Sequence, residues 1–317
     1  MKQNRNTRSA VCLIAALVVL AAGAPPARAS YSKGGAFRLP GYGARAWAMA
    51  GAATATVDDE GAVWWNPAML SQLRSDAVGA SYVNLVPGAT AQQSQLAYAH
   101  VLRRSEPGAD DERGAATARH ALGALYTNLH LDVGDETYNE NYLRLAYAYS
   151  PDYFVTFAVA GDLYASTSGV PDFDATGTSV DFATRLTLTE NVTVGAVARN
   201  AFSRYSFDDG RDAKRERSFV FGAALRSVPR ATIEGDVVFE RSELGRLAIG
   251  METDYLFNLL SLRGGYEVIN TGRSRAIPHF GFGLRALRER LSVHYNANLD
   301  DEKGFEDTHR FSLSVSI

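Results

Sequence analysis

The chain has 317 residues, 46% of them hydrophobic and 21% charged, with a formal net charge of −3. An acidic balance with no basic block argues against nucleic acid as a partner. A single cysteine, Cys12, excludes an intrachain disulfide framework and any cysteine-based metal site.

Residues 1–29 read as a secretory signal peptide. Lys2, Arg5 and Arg8 precede an uncharged apolar run from Ala10 to Gly23, and Ala27-Arg28-Ala29 supplies small residues for cleavage near Ala29. The run is shorter than the roughly 20 residues of a spanning helix, and Pro25-Pro26 follows it at once. Cleavage would remove Cys12 together with Lys2, Arg5, Arg8 and Arg28 but no acid, moving the charge from −3 to −7. No later stretch has the length of a spanning helix. A membrane location would therefore require closed strands, the other way of satisfying a backbone in lipid.

Residues 30–76 form a second segment, rich in small side chains. Gly34, Gly35, Gly41, Gly43, Gly51 and Gly61 sit among alanines, from Gly43-Ala44-Arg45-Ala46-Trp47-Ala48-Met49-Ala50-Gly51 onward. Small residues allow backbone to approach backbone, which suits a plug or hatch threaded through a crowded lumen. Asp58 or Asp59 is placed to cap a short helix ending near Asn66, because the residue before Pro67 is biased away from helix. Trp64-Trp65 reads as packing of this plug against a wall, or as an apolar contact along a path through it.

From residue 77 to 317 the pattern changes to strand and turn. Fourteen segments are expected, near 77–86, 91–103, 119–130, 139–150, 152–164, 177–188, 192–205, 216–227, 231–241, 246–256, 259–269, 277–287, 290–300 and 308–317. In one, Tyr153, Val155, Phe157, Val159 and Leu163 oppose Thr156, Ala158, Ala160 and Asp162. In others, Ile233, Val237 and Phe239 oppose Glu234, Asp236 and Glu240, while Leu291, Val293 and Tyr295 oppose Ser292, His294 and Asn296. About ten residues span roughly 33 Å, which at a tilt of about 40° covers the roughly 25 Å apolar band of an outer-membrane barrel. An even number of strands leaves both termini on the periplasmic side.

The connections divide by length. Pro87-Gly88, Ser150-Pro151, Glu190-Asn191, Ser227-Val228-Pro229 and Phe257-Asn258 are tight, whereas 104–118, 131–138, 165–176, 206–215, 270–276 and 301–307 are longer and charged. Tight turns on one rim and long loops on the other are expected. Tyr82, Tyr149, Tyr153, Tyr164, Tyr205, Tyr255, Tyr266 and Tyr295 lie near segment ends, as interfacial girdles would. Arg144, Arg185, Arg199, Arg263 and Arg285, with Glu234, Asp236, Glu252 and Glu267, fall at inner-face parity, as a lumenal charge network or a water-filled path. The last strand alternates cleanly: Phe311, Leu313, Val315 and Ile317 face one way, and Arg310, Ser312, Ser314 and Ser316 the other. Such a strand must be paired on both edges or covered, and its alternation is what the barrel-assembly machinery reads.

The Gly43-Ala44-Arg45 element, Met49 to Gly51, the acidic pair Asp58-Asp59 and then Trp64-Trp65-Asn66-Pro67 resemble the N-terminal signature of PorV/PorQ-type outer-membrane proteins. That group is related to FadL-like fatty-acid transporters and to the uncharacterised UPF0164 proteins. Asp307 to Ser314 is similar to how those chains finish. Ala50 and Met69 stand where the group has Gly, and Ile317 replaces its terminal aromatic. The resemblance implies a fourteen-stranded barrel with a lumenal plug. It implies either passage of hydrophobic small molecules or a type IX secretion accessory that receives secreted proteins with a C-terminal sorting domain.

Chemistry is sparse. The six histidines show no His-x3-His pair, no Gly-x-Ser-x-Gly element accompanies a nucleophile, and Gly34 to Gly51 lacks the Gly-Lys-Ser/Thr of a phosphate loop. Asp58-Asp59-Glu60 lacks the alternating oxygen ligands of a calcium loop and reads as a capped, solvated turn. His294 and His309 read as lumenal. Asp110-Asp111-Glu112-Arg113 and Arg211 to Arg217 read as solvated loops. The expectation is an all-β transmembrane antiparallel barrel in outer-membrane lipid, with no catalytic residue, cofactor or metal. The alternatives are a structural barrel with a sealed lumen and a soluble periplasmic β-protein.

Overall fold

The computed structural model describes residues 41–85, 91–104, 118–133, 136–169, 174–227, 230–240, 243–256, 258–270, 274–288, 290–299 and 308–317. The expected leader, Gly34 and Gly35, the Pro87-Gly88 turn and the run Asp110-Asp111-Glu112-Arg113 lie outside these residues.

The strands are β1 (Ala77–Asn84), β2 (Ala91–Arg104), β3 (Ala118–Val133), β4 (Glu136–Tyr149), β5 (Val155–Ser168), β6 (Ala175–Thr189), β7 (Val192–Phe207) and β8 (Asp212–Ala213). They continue as β9 (Ser218–Ser227), β10 (Ala231–Glu240), β11 (Glu243–Tyr255), β12 (Leu260–Asn270), β13 (Ser274–Ala286), β14 (Leu291–Asn298) and β15 (Thr308–Ser316). Neighbours in sequence pair antiparallel, and β1 pairs β15 from Ala77↔Ser316 to Asn84↔His309. The two-residue β8 pairs only with the end of β7, so the closed wall has fourteen strands. Closure leaves β15 with β14 on one edge and β1 on the other, the double pairing its bare alternation requires.

Side chains divide as the period of two dictates. Leu145, Phe157, Leu163, Phe280, Phe311 and Leu313 are exposed on the outer face, whereas Arg144, Asp162, Arg185, Glu234, Asp236 and Arg263 are buried inside. Three placements differ from the sequence reading. Tyr164 and Tyr205 are lumenal, not girdle residues; Leu163 faces out, so the next side chain must face in, and Tyr205 shares parity with Arg199. His309 is exposed and stacks on Tyr295 outside the barrel, because it shares parity with Phe311.

The rims also need correction. The ends Asn84 of β1 and Ala91 of β2 lie on the rim of the long connections, and Arg104 of β2 and Ala118 of β3 on the opposite one, so the expected sorting of tight and long connections by rim does not hold from β1 to β3. The expected long loop at 131–138 is mostly strand, since β3 and β4 stay paired out to Val133↔Glu136. Strand that projects beyond an apolar belt is wetted on both faces, so its polar composition imitates a loop.

An outer belt of leucine and phenylalanine is a surface that lipid covers. Substituting Leu163→Arg should therefore destabilise the barrel by about 2–4 kcal/mol in vesicles if this position is near the bilayer midplane. The same change on a water-exposed surface would stay within about 0.5 kcal/mol. Urea unfolding in vesicles distinguishes the two.

Candidate functional site

Residues 41–73 fill the lumen. They comprise a helix Ala44–Ala48, a helix Ala62–Trp65 and a 3-10 helix Pro67–Gln72, joined by turns. No side chain caps the helix Ala62–Trp65, which differs from the expected aspartate cap. Asp59 instead accepts the Gly61 N–H at 2.9 Å in the turn before it. Asn66 has the capping role one element later, accepting the Ala68 N–H at 3.0 Å ahead of Pro67. Its amide also donates to Thr54 O at 2.7 Å and to Thr184 O on β6 at 3.2 Å, tying two plug turns to the wall.

The plug has an apolar seat and a polar one. Val63, Met69, Leu70 and Leu73 pack against inward alanines of β2 to β5, including Ala97, Ala99, Ala121, Ala146 and Ala160. On the other side Met49 lies on two wall glycines. A Cβ on Gly250 would come within 2.6 Å of the Met49 carbonyl oxygen, and one on Gly265 within 2.4 Å of its carbonyl carbon. Only a bare backbone permits that approach. Gly43 and Gly51 turn the chain at φ of 73° and 71°, and Ala50 sits between them at 58°. Ala50 therefore occupies the left-handed region that favours glycine.

Charged wall residues bind the plug largely through its backbone. The Asp236 carboxylate accepts the N–H groups of Ala53 and Thr54 at 3.2 Å and the Thr54 hydroxyl at 2.6 Å. Glu234 accepts the Ala55 N–H at 2.5 Å and the Thr56 hydroxyl. Across the lumen, Arg144 is held by Asp162 at 2.7 Å and by Asp181. Arg144 and Arg199 reach the carbonyls that end the helix Ala62–Trp65, Arg199 donating to Trp64 O at 3.0 Å. Their guanidinium carbons lie 5.2 and 5.0 Å from the Trp64 ring centre, one more tie on that helix end.

Arg45 is the plug's own charged anchor. It pairs with Glu252 on β11 at 3.1 Å and with Asp58 and Asp59 at 2.5 and 2.8 Å. Trp47 lies 4.4 Å below Arg310 and stacks on His279, with Trp65 at its edge; the Trp65 indole donates to Tyr42 O at 2.9 Å. Ala44 N–H donates to the Ser312 hydroxyl at 3.1 Å, so the plug also touches the closing strand. Thus Gly43, Ala44, Arg45, Met49, Gly51, Asp58, Asp59, Trp64, Trp65, Asn66 and Pro67 all belong to one body inside the barrel. Phe311, Leu313, Val315 and Ile317 stand outside it. Beside the plug remains a cleft of about 20 Å³, room for a water or two, lined by Tyr42, Arg45, Met49, Glu60, Trp65 and His294.

Glu60 departs from the solvated turn expected for Asp58-Asp59-Glu60. It is buried, accepting from Tyr42 Oη at 3.0 Å and Ser314 Oγ at 2.6 Å. Burial, with the Asp59 charge beside it, pushes the Glu60 carboxyl up from 4.5 to about 7. The sequence also left the roles of Asp236, Glu234 and the glycine seat unassigned. Their signal was there, in acidic and glycine residues recurring at inward parity on β10 to β12.

Asp236→Ala removes three bonds to the plug and should weaken its docking by about 3 kcal/mol, speeding exchange of the Ala53 and Thr54 amides roughly hundredfold. A raised carboxyl contributes docking stability that is full below pH 4.5 and lost as pH rises through about 7. After correction for intrinsic exchange, the Gly61 and Ala62 amides should be less protected at pH 8 than at pH 6. Glu60→Gln should remove that difference.

No family profile matches the chain, and no curated protein does. Solved structures do. The CymD monoaromatic hydrocarbon channel superposes with a TM-score of 0.63 at 12% identity, covering 89% of this chain and 99% of its own. The P. putida toluene transporter TodX gives 0.58 at 16% identity, covering 87% and 99%. A Pseudomonas aeruginosa FadL homologue gives 0.60 at 11% identity, covering 87% and 98%. At such identities the likeness is one of fold, and this chain has the fold of a FadL-like barrel.

Proposed function

We propose that this protein is a non-enzymatic outer-membrane barrel that passes hydrophobic molecules across the wall-and-plug arrangement described above. The observation that carries the reading is the plugged fourteen-strand fold, shared along nearly the whole length of two monoaromatic hydrocarbon channels. The apolar exterior supports a place in lipid, and the plug's anchors support a removable stopper. They include hydrogen bonds that plug N–H groups donate to wall carboxylates and that wall guanidiniums donate to plug carbonyls, each individually modest and exchangeable for water. The narrow cleft beside the plug favours a second reading, a barrel sealed for good.

Reconstituted in vesicles, the wild-type barrel should take up toluene and a long-chain fatty acid faster than empty vesicles do, after correction for passive entry through lipid. Asp236→Ala should be faster still. Rates equal to empty vesicles for both proteins would favour the sealed barrel. A deletion strain that loses secreted proteins while keeping hydrocarbon uptake would instead favour a type IX secretion accessory.

A further inference from the structure

The rim opposite the long connections changes character around the barrel. Over β2 to β4 its outer border is aromatic, with Tyr98, Tyr147 and Tyr149 exposed, as at an ordinary membrane interface. Over β11 to β15 it is not. There two four-residue turns follow one another, 256–259 closed by the pair Tyr255↔Leu260 and 287–290 closed by Ala286↔Leu291. Each opens on a leucine in the left-handed region, Leu256 at φ 49° and Leu287 at φ 51°, and the two side chains are 64% and 72% exposed. Leu259 and Ile317 on the same arc are exposed as well. The arc is one surface: Arg285 N–H donates to Leu259 O at 2.9 Å and Ser316 N–H to Arg290 O at 2.8 Å, stitching neighbouring strands across it.

A leucine is a poor choice at such a position twice over. Glycine or asparagine adopts the left-handed backbone with less strain, and either exposes less apolar surface to water. That the same choice recurs in adjoining turns is explained by a use for the side chains outside the chain. Their surroundings say what lies there. Leu262, Leu284, Val293 and Leu313 stand exposed on the strands of this arc, so the leucines carry the lipid-covered belt on to the rim. Cations border it. Arg230, Arg288 and Arg290 are exposed, and among the described residues none of the three is paired with a carboxylate. Asp254 on the same arc is already taken by Arg285 at 3.0 Å. Arg230 adjoins the first turn, where its carbonyl accepts the Asp254 N–H at 3.0 Å.

We propose that this arc is a docking surface for an anionic phospholipid of the periplasmic leaflet. The exposed leucines enter its acyl region, and Arg230, Arg288 and Arg290 take the headgroup phosphate. A guanidinium presents its N–H donors as a planar fork that two phosphate oxygens match, and its weak hydration suits the interface. An apolar patch continuous with lipid and fringed by unpaired arginines is complementary to a negative amphiphile. An acidic protein would answer the charge but would have to displace lipid from the leucines. The proposal needs the barrel's place in lipid but not the passage of any molecule through it, so it goes beyond the transport reading.

Native mass spectrometry of the detergent-purified barrel, titrated with phosphatidylglycerol or phosphatidylcholine, tests it. The wild type should bind phosphatidylglycerol more tightly than phosphatidylcholine. Arg288→Gln with Arg290→Gln should lower the phosphatidylglycerol affinity about fivefold per arginine and leave phosphatidylcholine unchanged. Arg211→Gln, exposed in a connection on the opposite rim, should change neither. Leu256→Gly with Leu287→Gly should weaken both lipids while its thermal midpoint in detergent stays at or above that of the wild type, because glycine relieves the left-handed strain. That second variant separates a lost contact from a lost fold. A wild type without the preference, an arginine variant that keeps it, or a glycine variant with undiminished lipid affinity overturns the proposal. So does an acidic periplasmic protein that the arginine variant releases while phosphatidylglycerol affinity stays put, which would assign the arc to a protein. Lipid preference alongside vesicles that take up nothing sinks the passage reading and leaves the docking surface standing. Uptake by vesicles without the preference does the reverse.

Discussion

The barrel interior depends on one exchange: polar wall side chains take the place of water around the backbone of the plug. A segment of glycine, alanine and threonine cannot build a core of its own, and its turns leave N–H and C=O groups that must find partners once they are buried. Asp236 and Glu234 receive the N–H groups of the 53–55 turn, while Arg144 and Arg199 receive the carbonyls that end the helix Ala62–Trp65. Neither partner is stable inside alone. Stripped of the plug, the carboxylates would need hydration; stripped of the carboxylates, the turn would be an unsatisfied knot in a dry channel.

That exchange explains how the wall is divided. Where β2 to β5 meet the apolar side chains of the plug's helices, alanines on the inner face let Val63, Met69, Leu70 and Leu73 pack close, while Arg144 on β4 takes the carbonyls at the helix end. Where β10 to β12 meet its turns, the inner face carries acids and glycines: acids to bond the backbone, glycines to let it come near enough. The asymmetry of the plug is printed on the cylinder around it.

Much of the cylinder was legible in the sequence. Alternation alone put Phe157 and Leu163 outside and Thr156 and Asp162 inside, and the double-edged demand of the last strand pointed to closure. Legibility failed where the signal was composition and not period. Polar strand ends looked like loop at 131–138, and the Tyr164 and Tyr205 rings looked like girdle although their parity said lumen. The site was less legible for a deeper reason. An inward acid reads the same whether it meets water, a cation or a backbone amide, so Asp236 could be placed but not interpreted. Likewise Ala50 carries no local mark of its left-handed turn, which becomes intelligible only beside Gly250 and Gly265.

The meeting of β1 with β15 has a bearing on manufacture. Eight pairs join the two ends of the barrel sequence, Ala77↔Ser316 through Asn84↔His309, so a ribosome that stopped before Thr308 would release a sheet with two raw edges in place of none. Such a product invites edge-to-edge association with its own kind, and only a chain that carries β15 escapes that fate. The pairing of β15 with β1 therefore decides whether the sheet has edges at all.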